Sequence, residues 1–127
     1  DRKSEVHEQA RSAVPQAHVD FLSGLDLSYQ NEELFLCHAG IRPGVPLADQ
    51  TEHDLIWIRQ EFHNDPRQHP KLIVHGHTPV AKATHYGNRV NLDSGAGFGK
   101  PLSVAVFEGV DCWLLTDQGR TSLVPST

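Results

Sequence analysis

Two histidines stand on either side of a glycine in the stretch KLIVHGHTPV, and a third, His38, ends the stretch LFLCH. Imidazole binds manganese, iron, zinc and nickel. Both stretches are short apolar runs typical of buried strands, and ligands of open α/β sheets collect beyond the carboxyl ends of their strands. The sequence therefore offers His38, His75 and His77 as candidate metal ligands.

The spacing of His75 and His77 leaves two interpretations open. On an extended chain alternate side chains lie on one side, so both imidazoles would face the same way. Gly76 can instead turn the chain between them, which leaves two polar residues where a strand ends. A lone histidine at a strand end, such as His38, is more often a hydrogen-bonded structural residue than a ligand.

Arg59, in LIWIRQEF, is a candidate phosphate-binding residue. Helical periodicity puts it two turns into a helix, where it could simply pair with Glu61 or Asp65 on the exposed side. The functional alternative is a guanidinium that holds phosphate oxygens.

Two other kinds of site are disfavoured. Cys37 and Cys112 form no CxxC pair, and Cys37 is expected to face away from His38, so a structural zinc site is not indicated. The stretch DSGAGFGK has neither phosphate-loop spacing nor a following helix. Its glycines are better suited to a loop that passes close to a bound group.

These residues need a scaffold, and the apolar patterns predict an α/β fold. PQAHVDFLSG predicts a short helix from Pro15, and LDLSY with LFLCH predicts a hairpin whose second strand ends at His38. Thr51 and Asp54 form a capping box at the start of a helix over EHDLIWIRQEFH. KLIV, the two halves of ATHYGNRVNLD, and LSVAVFEG with DCWLLTD add strands. We expect five to seven strands and at least two helices.

Composition narrows the classes of protein. The 127 residues suit one domain, and the net charge of −5 with scattered charges does not favour nucleic acid. Two cysteines inside apolar runs favour reduced, buried thiols and a cytoplasmic protein, and no apolar run approaches a membrane span. A chain that begins at Asp1 and lacks methionine is expected to be a piece of something longer.

Four stretches in order, LFLCHAGIRPG, DLIWIRQEF, LIVHGHTPV and NLDSGAGFGKPLSVAVFEG, resemble the downstream half of the calcineurin-like metallophosphoesterases. They are most similar to the bacterial phosphoprotein phosphatase branch, which includes Ser/Thr protein phosphatases and dinucleoside tetraphosphatases. The resemblance covers about Pro15 to Gly109. It implies the C-terminal half of a four-layer α/β/β/α sandwich with a mixed sheet.

The resemblance also implies roles for individual residues. His38 matches the histidine of the family's HGG motif and His77 that of its GHT motif, and both bind one metal of a two-metal centre. Ala39 stands where the family has glycine, a change expected to permit ligation. Arg59 matches the arginine that contacts the substrate phosphate. His75 matches no ligand, so the resemblance leaves it a structural or supporting role.

The family's remaining motifs, GDxH, GDxxDRG and GNHE, do not occur in this sequence. The resemblance therefore implies a parent enzyme in which a missing N-terminal half supplies the other metal ligands and the catalytic residues. That enzyme would hydrolyse phosphoserine and phosphothreonine monoesters or dinucleoside polyphosphates, with two divalent metals, manganese first and iron, zinc or nickel as alternatives. The 127 residues alone are expected to be inactive, with no catalytic residue of their own.

The expected organisation is an irregular N-terminal segment over 1–14, a partial phosphoesterase domain over 15–119 and a polar tail over 120–127. Half a sandwich leaves a sheet face and a strand edge uncovered. A different class of function follows from the same feature. The chain could be a non-catalytic module that dimerises through its bare edge and binds metal weakly.

Overall fold

A computed structural model describes residues 1–126 of the chain as an α/β fold. Its four α-helices are α1 (Arg2–Ala13), α2 (Gln16–Ser23), α3 (Glu52–Trp57) and α4 (Gln60–His63). Its eight strands are β1 (Ser28–Gln30), β2 (Leu34–Cys37), β3 (Leu72–His75), β4 (Thr84–His85), β5 (Arg89–Asn91), β6 (Ala105–Glu108), β7 (Asp111–Thr116) and β8 (Gly119–Ser122). Two short 3-10 turns lie at Leu47–Asp49 and Ala96–Phe98.

The larger sheet has five strands in the order β1-β2-β3-β5-β4. Strands β2, β3 and β5 are parallel neighbours, and antiparallel partners β1 and β4 flank them. Both flanking pairs are the predicted hairpins. Because the three central strands run the same way, the loops that follow Cys37, His75 and Asn91 leave one edge of the sheet together.

Alternation along the central strands produces two packed faces. Phe35 and Ile73 face α3 and α4, where they join Leu55, Ile58 and Phe62 in one buried cluster. The opposite face packs against the smaller sheet, and its cluster consists of Leu34, Leu72 and Val90 with Leu36, Leu92, Phe107 and Leu123. A helix layer, a mixed sheet and a second sheet are thus stacked, as the α/β prediction required.

The polar tail expected over 120–127 is corrected in part, because its first three residues belong to a strand. The smaller sheet has the order β6-β7-β8, and β8 pairs antiparallel with β7 from Trp113↔Ser122 to Thr116↔Gly119. Pro125 also bridges to His85. Residues of β8 are exposed, so they carry no apolar alternation that the sequence could have revealed. Backbone pairing with β7 and the ion pair of Arg120 with Glu108 hold the strand in place. Thr127, the last residue of that segment, lies outside the described residues.

The expected irregular segment at 1–14 is also corrected, because residues Arg2–Ala13 form α1. Asp1 caps this helix by accepting from the amide of Lys3. No residue of α1 is buried, which agrees with the missing apolar period. Helix-forming residues and the cap both favour this helix, which has no packed face.

The single helix expected over EHDLIWIRQEFH is two helices. Thr51 caps α3 as predicted by accepting from the amide of Asp54 at 3.2 Å. The helix then stops, because Ile58 adopts an extended conformation (φ −59°, ψ 146°) and Arg59 sits outside helical geometry before α4 begins. This break lets Ile58 and Phe62 both enter the core while Arg59 leaves it.

Both cysteines are free thiols, with Cys112 buried and Cys37 partly so. Burial raises the pKa of Cys37 to about 12, which makes its thiolate inaccessible near neutral pH. Among residues 1–126, no helix combines the length and the apolar character that crossing a bilayer would require.

Candidate metal and phosphate site

His38 and His77 meet at the edge of the larger sheet where the parallel strands end. The Nε2 atom of His38 lies 3.0 Å from the Nδ1 atom of His77, although 39 residues separate them in the chain. We call these two residues the surface pair. His38 is exposed and His77 partly buried, so one side of the pair is open to solvent.

The backbone holds the two histidines together. Strands β2 and β3 are parallel neighbours, and their pairing continues past the strands because the amide of Gly76 donates to the carbonyl of His38 at 2.8 Å. A Cβ at Gly76 would lie 3.2 Å from the Cβ of Asp93, a tight contact that would force a shift of a few tenths of an ångström. The glycine between the two histidines therefore allows the loops after β3 and β5 to approach closely.

Arg59 reaches the same place from the break between α3 and α4. Its Nε atom donates to the Nε2 atom of His77 at 3.4 Å. Trp57 packs its ring edge-on against the His77 ring, with centroids 5.7 Å apart. The structure thus brings together three of the four candidate residues named from the sequence. Among the described residues Arg59 forms no ion pair with Glu61 or Asp65, which was the alternative left open.

The hydrogen bonds define the tautomer of His77. A guanidinium cannot accept, so Nε2 of His77 is the acceptor and the ring proton sits on Nδ1, from which it is donated to Nε2 of His38. Desolvation, with His38 and Arg59 nearby, lowers the pKa of His77, while Asp93 acts in the opposite direction. A neutral imidazole with an available lone pair is the form that a metal requires.

His75 lies on the opposite side of the chain and is 3% exposed. Its ring is 5.0 Å from the ring of Phe62 and stacks on His63 at 5.5 Å. Arg89 Nη1 donates to its Nε2 atom at 3.0 Å, which leaves its proton on Nδ1 near the Gly76 carbonyl. We call Phe62, His63, His75 and Arg89 the buried cluster. Gly76 has therefore turned the two histidines apart, and His75 has a structural position.

The surface pair fits two ligands of one metal. Two nitrogens each about 2.1 Å from a metal, at right angles about it, lie about 3.0 Å apart. The observed separation of Nε2 in His38 and Nδ1 in His77 is 3.0 Å. Within the described part of the chain, no group of three or more histidine, cysteine, aspartate or glutamate side chains is placed to hold a metal ion. The described chain thus presents two converging imidazole nitrogens at a separation that matches two ligands of one metal.

Three neighbours of the surface pair are not among the residues predicted from the sequence. Asp93 follows β5 at the same sheet edge, Asn91 ends that strand, and Trp57 ends α3. Asn91 and Asp93 could have been found only from the strand order, because VNLD ends the strand that lies next to the one before His77. Without the strand order, nothing in the residue types placed Asp93 or Asn91 near either histidine.

Comparison with known proteins finds a similar structure but no match by sequence. No protein-family model matches the chain, and no curated protein matches it by sequence. A solved structure, "Crystal structure of a putative diadenosine tetraphosphatase", matches over 88% of this chain with a TM-score of 0.68 and 22% identity. The chain spans 60% of the length of that protein. This likeness shows that the two chains share an overall α/β fold.

Proposed function

We propose that this chain is part of a metal-dependent phosphoesterase, in which His38 and His77 bind a divalent metal and Arg59 binds the substrate phosphate. The observation that carries the proposal is the convergence of Nε2 of His38 and Nδ1 of His77 to 3.0 Å, with the Arg59 guanidinium beside them. The chain alone is inactive on this account, because two imidazoles do not make a two-metal centre.

Divalent metals in such a centre supply hydroxide near neutral pH by lowering the pKa of bound water, and they polarise the phosphoryl oxygen. Manganese is the first candidate, with iron, zinc and nickel as alternatives that imidazole also accepts. His38 and His77 would hold one of two metals through Nε2 and Nδ1, the atoms that already face each other. The remaining roles belong to residues outside this chain.

Arg59 has a role that depends on the tautomer of His77. When Nδ1 of His77 gives its lone pair to a cation, the proton of the neutral ring lies on Nε2. Arg59 then has no acceptor on this ring, and its guanidinium is free for phosphate oxygens. Because Arg59 is exposed at the break between α3 and α4, it can make this exchange without disturbing the core.

An exposed apolar groove beside His38 offers a surface against which a segment with the remaining metal ligands could pack. The apolar side chains of this shallow groove come from α2, the connection between α2 and β1, β1 and α3, and they include Leu22, Leu25, Leu27, Tyr29 and Ile56. Leu22 and Tyr29 are 62% and 65% exposed. This chain also spans 60% of the fold neighbour. We propose that the groove is covered by a further segment of a longer parent protein, which supplies the other metal ligands and the catalytic acid.

The substrate class is phosphate esters, either phosphoserine and phosphothreonine monoesters or dinucleoside polyphosphates. Arg59 is complementary to phosphate oxygens and carries no information about the group attached to them. The fold neighbour bears the name of a diadenosine tetraphosphatase, which makes dinucleoside polyphosphates the first substrates to test.

A second candidate is a non-catalytic module that dimerises through its bare edge. Strand β1 is the end strand of the larger sheet, and most of it is exposed. Sedimentation of the purified 127-residue chain separates the two. A discrete, folded dimer of the 127-residue chain, together with no phosphoesterase activity in the parent protein, would favour the module. An aggregating chain would argue against the module.

The direct test is hydrolysis of p-nitrophenyl phosphate, a phosphopeptide and diadenosine tetraphosphate by the parent protein with and without Mn²⁺. We expect Arg59→Ala to lower kcat/KM about 10- to 100-fold, since one charge-assisted phosphate contact is lost, while metal content stays the same. Arg120→Ala is the matched control, because Arg120 is exposed and pairs with Glu108 in the second sheet. Equal kinetics for the two variants would contradict the role of Arg59.

A further inference from the structure

His77 has an unusual backbone conformation. Its φ is +70°, and among residues 1–126 it is the one non-glycine residue with a positive φ. A side chain in this left-handed region is disfavoured and persists only where surrounding contacts enforce it. The contacts that enforce it therefore decide whether Nδ1 of His77 faces His38.

Asn91 links the loop that carries His77 to the loop after β5. Its side chain is 1% exposed. Its Nδ2 atom donates to the carbonyl of Thr78 at 2.9 Å, and its Oδ1 atom accepts from the amide of Asp93 at 2.9 Å. The amide of Val80 in turn donates to the carbonyl of Asp93 at 2.9 Å.

The register of the sheet explains why Asn91 can do this. His75 and Asn91 are paired across β3 and β5, so Asn91 lies beside the last residue before the chain turns at Gly76. The amide of Leu92 donates to the carbonyl of His75 and holds the two strand ends in line. One buried side-chain amide thus joins two loops, with its donor bonded to the loop after β3 and its acceptor to the loop after β5.

We propose that Asn91 is a positioning residue for the metal ligand His77. It fixes the carbonyl of Thr78 immediately after His77 and thereby keeps the His77 backbone at positive φ with Nδ1 turned toward His38. This role rests on the proposed metal-binding function, but it adds a residue that contacts neither metal nor substrate.

Asn88 provides a matched control at the other end of β5. It is 7% exposed, and its Nδ2 atom donates to the carbonyls of Asp65 and Arg67, each at 3.0 Å. Both asparagines therefore use a buried amide to join loops, but only Asn91 contacts the turn that carries His77. An effect of general destabilisation should appear at both positions.

The experiment compares the parent protein with Asn91→Asp, Asn88→Asp and His77→Ala variants. Each aspartate keeps an acceptor oxygen and removes the Nδ2 donor. Mn²⁺ binding is measured by titration, stability by urea denaturation, and the amide hydrogen exchange of Val80 is measured in metal-free protein. We expect Asn91→Asp to weaken Mn²⁺ binding by about 10- to 100-fold and to speed Val80 exchange, while Asn88→Asp does neither beyond its effect on stability.

The outcomes separate the two claims. If the parent protein binds no Mn²⁺, or if His77→Ala leaves binding unchanged, the metal-binding function fails. If His77→Ala weakens binding but Asn91→Asp and Asn88→Asp do so equally, only the positioning role of Asn91 is overturned. Should the buried charge of Asn91→Asp prevent folding, Asn91→Ser and Asn88→Ser make the same comparison without it.

Discussion

His75 and His77 are two residues apart in sequence and lie in opposite environments. His77 belongs to the surface pair, with one ring nitrogen facing another imidazole and the other facing Arg59. His75 belongs to the buried cluster, between Phe62, His63 and Arg89. The imidazole at position 77 lies at the surface, where it can reach a bound group. The imidazole at position 75 is buried, and its ring nitrogens are occupied by contacts within the protein.

The difference arises from how each region satisfies its charges. Arg89 is 6% exposed, and its guanidinium lies 3.8 Å above the Tyr86 ring and contacts neutral His75. No carboxylate pairs with it within residues 1–126. Burial next to the Arg89 cation keeps His75 neutral. Arg59, the arginine beside His77, is instead exposed to solvent. Residue type alone therefore does not identify a ligand, because desolvation and neighbouring charge decide its availability.

The largest expected effect tests whether the buried cluster is a packing unit. Phe62 is fully buried, and a Cβ at Gly40 would lie only 2.2 Å from its Cδ1 atom. We expect Phe62→Ala to lower the free energy of unfolding by about 3–5 kcal/mol in urea denaturation. Phe98→Ala is the control, since Phe98 is 80% exposed, and it should change stability by less than about 0.5 kcal/mol. Similar losses at both positions would mean that the cluster is not packed as described.

An intermediate effect is the pH dependence of stability. Burial, followed by the charge of Arg89, lowers the pKa of His75 to about 3. The unfolded chain protonates this ring near pH 6.5, so its neutral form contributes stability above that pH, and the contribution is lost as pH falls toward 3. Uptake of one proton by the unfolded chain alone lowers the free energy of unfolding by about 1.4 kcal/mol for each pH unit within that window.

Urea denaturation at pH 7.0 and pH 4.5 measures this loss. We expect His75→Gln, which retains an acceptor for Arg89 but does not titrate, to lose less stability between these two pH values than the unmodified protein does. His7→Gln is the control, because His7 lies on the exposed helix α1. An unchanged pH dependence in His75→Gln would show that His75 is not held neutral by its surroundings.

The smallest expected effect concerns the backbone of the surface pair. His77→Ala and His77→Gly both remove the imidazole, but only glycine adopts positive φ without strain. We expect the glycine variant to be more stable than the alanine variant by about 1 kcal/mol in metal-free protein. At His53, within α3, we expect the alanine variant to be more stable than the glycine variant by a similar amount. If alanine is also the more stable variant at position 77, the left-handed conformation of His77 is contradicted.

Sequence patterns predicted the parts of the fold where an apolar face repeats. The β1–β2 and β4–β5 hairpins, the β6–β7 pair and the Thr51 cap were each confirmed. The break at Ile58 and Arg59 was missed because Leu55, Ile58 and Phe62 fit one helical face whether or not the helix is continuous. Strand β8 was missed because it is exposed and polar.

The candidate site was predictable in its residues but not in its geometry. His38, His77 and Arg59 could be named because each follows or faces a predicted strand end, and the structure places them together. That His75 turns away depends on Gly76 and on the close approach of Asp93, which a single sequence does not encode as a pattern. Their roles toward metal and phosphate stay predictions.

The most direct test of the central claim is the metal content of the proposed parent protein after loading with Mn²⁺ and gel filtration, measured for His77→Ala and His75→Ala side by side. We predict that His77→Ala loses metal from one of two sites while its stability changes little. His75→Ala should keep its metal in the folded fraction and lose stability instead. Full metal content with normal activity in His77→Ala would contradict the assignment of His77 as a ligand.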